Sequence, residues 1–329
     1  MVETLGWALL GGWAVFVLLH SLLSGRTWLW AVPEMVPPIA FAAVPVLAAA
    51  AAVASPGPPR RWAVPAGAAL VAAGLRWNGL TPPRVRRRTG ARRAGSFVLF
   101  VWNTHYWDQD LDSASFLGFL ADHDADVYLL QEYVYWQQVR EVPASGLAEL
   151  AAALPDHVVL DDGELVTAVR RRLAPQPVPG LPGLAQRTDI SVGGSVVALV
   201  NVHMPVQVDL DRSPLRAEFY RQLRHRSGRQ RQAFRAVADL LRLAPPAFVL
   251  GGDFNSSPAM RLMRRLRSGR VDVMRTAGHP YLATWPAGRR RLWRIDWVLA
   301  SRRVRADWAR LVDPGGRSDH HGQLCALRV

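Results

Sequence analysis

Hydrophobic residues follow two different patterns along the chain. Before residue 80, three long apolar runs contain almost no charge: residues 5–23, 39–55 and 62–75. From Ser96 onward, short apolar runs alternate with amphipathic segments and polar loops. We therefore expect a membrane segment in residues 1–80, followed by a globular domain in residues 96–329.

The first apolar run is long enough to cross a bilayer, because a helix rises about 1.5 Å per residue and the hydrocarbon core is about 30 Å thick. None of the three runs has a polar face with helical period, so we expect about three transmembrane helices, the third of which is short. A retained anchor is favoured over a cleaved signal peptide, since no basic residue precedes the first run. A soluble helical subdomain is the alternative.

Residues 81–95 form a predicted linker that is rich in proline and arginine, with the sequence TPPRVRRRTGARRA in residues 81–94. Such a stretch has no apolar period and is typical of a solvated basic tether, with anionic lipid as a second partner. The positive-inside rule applied to these arginines places the following domain in the cytoplasm.

The globular domain has the pattern of an α/β protein. We expect an α/β sandwich of two sheets with helices outside. Short apolar runs predict strands at 97–101, 127–130, 165–169, 195–200, 247–250 and 295–299, and amphipathic periodicity predicts helices at 115–122, 146–153 and 214–243.

Polar residues lie next to most of these predicted strands. Polar ends of neighbouring strands can converge at one edge of a sheet, where loops carry function. The adjoining motifs are Asn103, Gln131-Glu132, Asn201-Val202-His203, Gly252-Asp253-Phe254-Asn255, Arg294-Ile295-Asp296 and Ser318-Asp319-His320.

The carboxylate and amide residues of this set predict a site for a hard cation, Mg²⁺ or alternatively Mn²⁺. Glu132 is the first choice as a metal ligand, and Asp319 and Asn103 are further choices. The single cysteine and the few clustered histidines argue against a structural zinc site.

The remaining polar residues suit the other needs of phosphoester hydrolysis. Asp253 can orient or deprotonate a water molecule, and Asn255 can donate to a phosphoryl group. His203 and His320 can donate to the phosphoryl group or transfer protons, and Asp296 can hold a histidine in the required tautomer. Each residue taken alone has a structural interpretation, as a turn, cap or surface residue; the ordered set favours catalysis.

Composition adds two points. The formal net charge is +14, and all 40 basic residues are arginine, whose guanidinium group favours phosphates and anionic lipid headgroups. Cys325 is the only cysteine, so an intrachain disulfide is excluded and a small core residue is expected.

The motifs WNTH, LLQE, NVHMP, GGDFNSSP, RIDWVL and SDHH resemble those of the endonuclease/exonuclease/phosphatase superfamily, which includes pancreatic deoxyribonuclease and neutral sphingomyelinases. The resemblance covers residues 96–329. It implies a four-layered α/β sandwich and hydrolysis of phosphate esters with a divalent metal. It also implies that Glu132 binds the metal, that Asp253 acts on the water and that Asp296 supports His320.

The apolar N-terminus, the basic linker and the segment ATWPAGRRRLWRID are similar to a membrane-bound actinobacterial subgroup with VanJ-like glycopeptide-resistance proteins. That resemblance implies a lipid pyrophosphate substrate, such as undecaprenyl pyrophosphate, and a catalytic domain outside the cytoplasm, in conflict with the charge count. Two motifs depart from the usual pattern, because the Asn103 motif continues with Thr and His, and no proline follows the pair His320-His321.

The sequence thus predicts a multi-pass membrane protein with a metal-dependent phosphoesterase domain acting on a membrane-borne phosphate. A nuclease is the second hypothesis, since the arginines in residues 221–235 and 261–270 could follow a nucleic-acid backbone. A non-catalytic membrane scaffold is the third.

Overall fold

Two six-stranded sheets dominate the C-terminal sequence in the computed structural model, which describes residues 5–54, 60–81, 95–106, 112–137, 140–143, 146–208, 213–278, 280–287 and 290–329. The strands are β1 (Ser96–Asn103), β2 (Val127–Gln131), β3 (Val134–Gln137), β4 (Arg140–Pro143), β5 (His157–Asp162), β6 (Leu165–Arg170), β7 (Gln176–Leu181), β8 (Ala185–Val192), β9 (Ser195–His203), β10 (Ala247–Asp253), β11 (Val271–Asp272), β12 (Asp296–Ala300), β13 (Arg305–Val312) and β14 (Gly322–Arg328). The helices are α1 (Leu5–Leu23), α2 (Ala40–Ala54), α3 (Arg60–Gly74), α4 (Ser113–Ala121), α5 (Leu147–Ala153), α6 (Ala217–Arg242) and α7 (Arg261–Arg267).

Each sheet mixes parallel and antiparallel neighbours. The first has the order β13-β14-β1-β2-β6-β5, and the second has the order β11-β12-β10-β9-β8-β7. In each sheet one central pair is parallel, β1 with β2 and β9 with β10, whereas the other pairs are antiparallel. A short hairpin of β3 and β4 stands apart from both sheets.

Strand β1 shows how the first sheet is buried on both faces. Phe97, Leu99 and Val101 join a cluster that also contains residues of the second sheet, such as Val197 and Val249. The alternate residues of β1 face a second cluster, to which helices α4 and α5 contribute. Because side chains alternate along a strand, one face of the sheet packs inside the sandwich and the other packs against helices.

The predicted fold class is confirmed: an α/β sandwich of two mixed sheets flanked by helices, preceded by an apolar N-terminal helix. Cys325 lies fully buried in the core between the sheets, as the sequence predicts. Burial in these apolar surroundings raises the pKa of its thiol.

The N-terminal helices contact one another through small residues. A side chain on Gly6 of α1 would approach the backbone nitrogen of Ala52 in α2 to 2.4 Å. One on Gly67 of α3 would come within 2.6 Å of the Ala49 side chain. Glycine at these contacts lets the helix backbones approach closely, a property common in membrane helices.

The expectation of three transmembrane spans is not supported. Only α1, with 19 residues, is by itself long and apolar enough to cross a bilayer among the described residues. Helices α2 and α3 have 15 residues each and contain Pro45 and Pro65. Fifteen residues extend about 22 Å, less than the hydrocarbon thickness, so neither helix spans alone. A second span would require residues 28–35 and α2 to act together across a 68° bend.

Two compact units emerge from the contacts within the chain. One contains residues 1–80 together with 206–231 and 256–265, and the other contains residues 81–205, 232–255 and 266–329. The predicted division into 1–80, 81–95 and 96–329 stays a prediction, and most of the linker lies outside the described residues.

A buried ion pair supports the second sheet. Arg294 is 3% exposed, and its two terminal nitrogens donate to Asp272 at 2.7 and 2.6 Å. The guanidinium carbon of Arg294 also lies 3.8 Å from the ring centroid of Trp297 in β12. Burial alone raises the pKa of Asp272, but the charge and hydrogen bonds of Arg294 outweigh it and hold that pKa below its usual range.

Replacing Asp272 with Asn should destabilise the protein by about 3 kcal/mol at neutral pH, because the charge of Arg294 stays buried without its carboxylate. Since the folded pKa is depressed, the stabilisation is fully present above the unfolded pKa of about 3.9 and is lost as pH falls through the folded value. Chemical denaturation of the full chain in mild detergent should show a wild-type advantage that shrinks below about pH 4.

The exposed Asp161 of β5 offers the matched control, because Asp161→Asn removes one carboxylate without uncovering a buried arginine. A constant difference between wild type and Asp272→Asn at all these pH values would contradict the ion-pair interpretation.

Candidate active site

Strand register brings the predicted polar residues to one edge of the sandwich. In the first sheet, Asn103 at the end of β1 lies opposite Gln131 at the end of its parallel neighbour β2. In the second sheet, Asp253 ends β10 beside His203 at the end of β9. Antiparallel β12 contributes its beginning, so Asp296 lies opposite Asp253. Strand β14, antiparallel to β1, likewise begins directly after the pair His320-His321.

The two glycines before Asp253 allow neighbouring strands and the facing sheet to approach closely at this edge. A Cβ on Gly251 would lie 2.9 Å from the side chain of Val101, because the two sheets approach each other at this point. Gly252 has a φ of +145°, and a Cβ there would lie 1.9 Å from the carbonyl oxygen of Val202. Glycine is therefore required at residue 252, and the Gly-Gly-Asp order follows from packing as well as chemistry.

Two residues of the set have left-handed backbone conformations. Glu132 has a φ of 53° and Asn255 has a φ of 46°. This conformation is common for asparagine but costly for glutamate, and such strain is concentrated at functional sites. In both cases the turn follows a buried strand, and the side chain of the turn residue contacts another residue of the set, Asn103 for Glu132 and His203 for Asn255.

Asn103 connects the two sheets. Its amide nitrogen donates to Glu132 Oε1 at 2.9 Å and to Asp253 Oδ2 at 3.1 Å, and its amide oxygen accepts the backbone N–H of His105. Asn103 thus turns its nitrogen towards the carboxylates, and its predicted role as a metal ligand stays a prediction.

His320 and Asp296 form a buried pair, 5% and 2% exposed. His320 Nδ1 lies 3.0 Å from Asp296 Oδ2, which leaves Nε2 directed at Asp253 Oδ2, 3.9 Å away. Burial lowers the pKa of His320, but the charge and hydrogen bond of Asp296 raise it to about 10. The imidazole is therefore cationic at neutral pH and presents an N–H to the centre of the site.

His203 has the same arrangement with a different partner. Its Nδ1 lies 3.0 Å from Glu164 Oε1, and its Nε2 lies 3.5 Å from Glu132 Oε1. Burial lowers the pKa of His203, whereas the hydrogen bond and charge of Glu164 outweigh it and raise that pKa to about 9. Asn255 is held beside this histidine, because its amide nitrogen donates to the carbonyl of Met204 at 2.8 Å.

Asp319 is the most exposed carboxylate of the site. The indole N–H of Trp285 donates to its Oδ2 at 2.7 Å. Its Oδ1 is buried and has no hydrogen-bond partner in the described part of the chain, although His320 Nε2 and His105 Nδ1 each lie 3.7 Å away. An oxygen of this kind is available to a cation or a ligand.

The donor chemistry fits a divalent cation. Oxygen and imidazole ligand atoms of Glu132, His203 and Asp253 lie within 4.8 Å of one another, and so do those of Asp253, Asp296 and His320. Burial and the charge of Asp296 raise the pKa of Asp253 to about 7. A nearby positive charge would therefore stabilise its ionised carboxylate. The carboxylates of Glu132, Asp253 and Asp319 carry oxygen atoms of the kind that Mg²⁺ and Mn²⁺ prefer, and which of them bind a metal stays a prediction.

Glu164 and Trp285 were missed in the sequence analysis. Glu164 precedes β6, which pairs antiparallel with β2, so the beginning of β6 lies beside the end of β2. That rule could have found Glu164 once the strand pairing was known. Trp285 lies in a loop, and only the composition of the segment 283–296 marked it.

A sequence comparison agrees with this geometry. The profile of the endonuclease/exonuclease/phosphatase family matches residues 100–320, more than half of the chain. The chain belongs to this family. Members of the family are in general metal-dependent hydrolases of phosphate esters. No curated protein matches the chain closely enough to be recognised as a relative.

Solved structures share the fold of this family member at low identity. AP endonuclease LMAP from Leishmania major has a TM-score of 0.52 and 18% identity, over 76% of this chain and 93% of that one. An endonuclease/exonuclease/phosphatase from Bacteroides vulgatus has a TM-score of 0.50 and 16% identity, over 71% of this chain and 99% of that one. At these identities the likeness concerns the fold alone.

Gly252→Ala should destabilise the chain by about 3 kcal/mol, because the added carbon overlaps the carbonyl of Val202. Gly118→Ala in α4 is the matched control, since nothing lies within 4 Å of the added carbon and alanine favours a helix. Denaturant midpoints should fall for the first variant and stay equal or rise for the second. Equal stability of Gly252→Ala and wild type would contradict the assigned backbone.

Glu132→Gln should weaken Mn²⁺ binding about 10- to 100-fold, because an anionic oxygen is lost from the site while the shape is kept. Isothermal titration calorimetry of the full chain measures this affinity. Glu149→Gln on the exposed face of α5 should leave it unchanged. Equal binding by both variants would exclude Glu132 as a ligand.

Proposed function

We propose that the chain is a membrane-anchored phosphoesterase that uses a divalent metal to hydrolyse a lipid-linked phosphate ester or pyrophosphate. The observation that carries the proposal is the cluster at one edge of the sandwich, in which Asp253, Asp296 and His320 are buried and Glu132 and His203 are half-buried. Helix α1 supports the membrane part, because it is predominantly apolar and long enough to cross a bilayer.

Asp253 is proposed to handle the attacking water. Its Oδ1 is occupied by the backbone N–H of Asn255 at 2.7 Å, so Oδ2 is the oxygen that faces the site. The water oxygen forms a bond to phosphorus while the bond from phosphorus to the leaving oxygen breaks, and the proton of the water passes to Oδ2 of Asp253. Asn103 holds that oxygen from the opposite sheet.

The two histidines are proposed to stabilise charge on the phosphoryl group. Asp296 and Glu164 accept the Nδ1–H of His320 and His203 and favour the imidazolium form, in which Nε2–H faces the site. Such fixed donors stabilise the transition state more than the ground state when they point to where charge develops. The leaving oxygen can receive its proton from one of them.

Glu132 and Asp319 are the residues proposed to hold the metal, with Mg²⁺ as first choice and Mn²⁺ as second. A bound divalent cation would polarise the phosphoryl oxygens and offset their charge. The orphaned Oδ1 of Asp319 and the strained backbone of Glu132 support this assignment.

A lipid-linked pyrophosphate of the undecaprenyl type is the proposed substrate class. An anchor in the bilayer raises the local concentration of membrane-borne substrates, which favours them over soluble ones. The similarity of the apolar N-terminus and the ATWPAGRRRLWRID segment to the membrane-bound subgroup favours the same class.

The test is a hydrolysis assay on the full chain in detergent, with Mg²⁺ and with EDTA. Inorganic phosphate is measured for undecaprenyl pyrophosphate, and cleavage products are measured for a phospholipid and for plasmid DNA. Phosphate should be released from the pyrophosphate only with Mg²⁺, and Asp253→Asn should reduce the rate at least about 100-fold. Glu149→Gln serves again as the control. Full activity of Asp253→Asn would refute the mechanism.

A nuclease is the second proposal, favoured by one observation. Helix α6 exposes Arg221, Arg224, Arg229 and Arg235 along a face that could follow a phosphate backbone. If DNA were cleaved faster than the lipid pyrophosphate, with a steep salt dependence, the nuclease proposal would replace the first one.

A further inference from the structure

The end of helix α1 is bound to a segment from the C-terminal half of the sequence. His20 Nε2 lies 3.0 Å from the carbonyl of Ala259, and the backbone N–H of Arg261 donates to Ser24 Oγ at 3.1 Å. Ala259 is also buried in a cluster with Val17 of the helix. These contacts lie within one compact unit, so the residues after Leu23 and the beginning of α7 have fixed positions relative to each other.

The turn that follows α1 brings arginines together. Gly25 takes the left-handed conformation that ends a helix, and its backbone N–H donates to the buried Glu34. A Cβ on Gly25 would lie 3.1 Å from Cβ of Arg261, so glycine lets the stem of Arg261 lie against the turn. Arg26 comes next in the chain, and Arg265 follows Arg261 by one helical turn.

These three arginines form a concentration of like charge. Loss of hydration, followed by the charges of Arg265 and Arg26, lowers the pKa of the Arg261 guanidinium. Within the described residues, no carboxylate lies within 4 Å of the guanidinium nitrogens of Arg26, Arg261 or Arg265. Arg26 and Arg265 are exposed to solvent. A cluster held in place against its own repulsion is stabilised by an anion.

The location of the cluster indicates which anion. It lies directly after the apolar helix α1, where a spanning helix reaches the phosphate level of the bilayer. Leu18 and Leu22 in the last two turns of α1 are exposed, 57% and 47%, as expected for side chains that face lipid. Trp28 lies just beyond the cluster, in the position of an interfacial aromatic residue.

We propose that Arg26, Arg261 and Arg265 form a binding site for the phosphate group of an anionic membrane lipid where α1 leaves the bilayer. The proposal rests on the membrane anchoring of the proposed function but not on its catalysis. The guanidinium groups offer planar, multiple N–H donors that fit phosphate oxygens. A lipid bound there would also hold residues 256–265, the segment after Asn255, at the membrane surface.

The test measures lipid binding in EDTA, so it does not depend on activity. Native mass spectrometry of the full chain in detergent would follow titration with phosphatidylglycerol and with phosphatidylcholine. Wild type should bind phosphatidylglycerol more tightly. Arg26→Gln alone should weaken that binding about fivefold, and the triple variant Arg26→Gln, Arg261→Gln, Arg265→Gln about 100-fold, at about 1 kcal/mol for each arginine near an anionic surface.

The charge-matched control replaces the exposed Arg302, Arg303 and Arg305 with Gln. It should change phosphatidylglycerol binding less than about twofold, because these residues lie outside the cluster. Equal losses in both triple variants, or equal affinity of wild type for both lipids, would overturn the proposal. Displacement of phosphatidylglycerol by equimolar inorganic phosphate would overturn it too, since the ligand would then be a free phosphate.

Since the triple variant could lose its fold, circular dichroism checks it, and the single exposed Arg26→Gln gives the decisive comparison. A wild-type affinity in folded Arg26→Gln would contradict the proposal. Failure of phosphate release with intact lipid binding would instead refute the proposed function alone.

Discussion

The burial of several carboxylates at one edge of the sandwich is the constraint on which the site depends. Asp253 is 1% exposed and lies in register with Asp296, which is equally buried from water. Such proximity is unfavourable unless positive charge is supplied. His320 and His203 supply it within the chain. Against burial, which lowers both pKa values, Asp296 raises the pKa of His320 and Glu164 raises the pKa of His203. A divalent cation would add further positive charge. The proximity that destabilises the carboxylates without a metal therefore favours metal binding.

The two sheets make this burial possible, and the sequence pattern predicted the strands that carry the buried residues. Apolar runs that end in Asn103, Glu132, His203 and Asp253 could be found by pattern, because a strand buried on both faces has little freedom in composition. Their convergence followed from the family resemblance and from the general behaviour of strand ends. The structure brings the eight predicted site residues to one edge, and their individual roles stay predictions.

Other features could not be predicted from the sequence, for physical reasons. Strands β5, β7, β8 and β13 have mixed burial, so their apolar periods are weak. Glu164 reaches His203 because β6 pairs with β2, and strand pairing cannot be read from a pattern along the sequence. The second and third apolar runs were predicted to span a membrane, although their helices have only 15 residues. Composition reports that a helix is apolar, but helix length and proline positions decide whether it can span.

The N-terminal segment forms one compact unit with two later segments of the sequence. These segments are residues 206–231 and 256–265, which in sequence directly follow two parts of the candidate active site that end at Pro205 and Asn255. In that unit, Phe219 and Leu223 of α6 are buried together with Ala31, and Ala259 is buried with Val17, Phe41 and Trp77. A chain that began at residue 96 would expose these apolar side chains to water and leave the carbonyl of Ala259 without His20. The segments that continue from His203 and Asn255 therefore owe part of their order to the N-terminal helices, and the chain with its N-terminal helices is the unit in which the site should be measured.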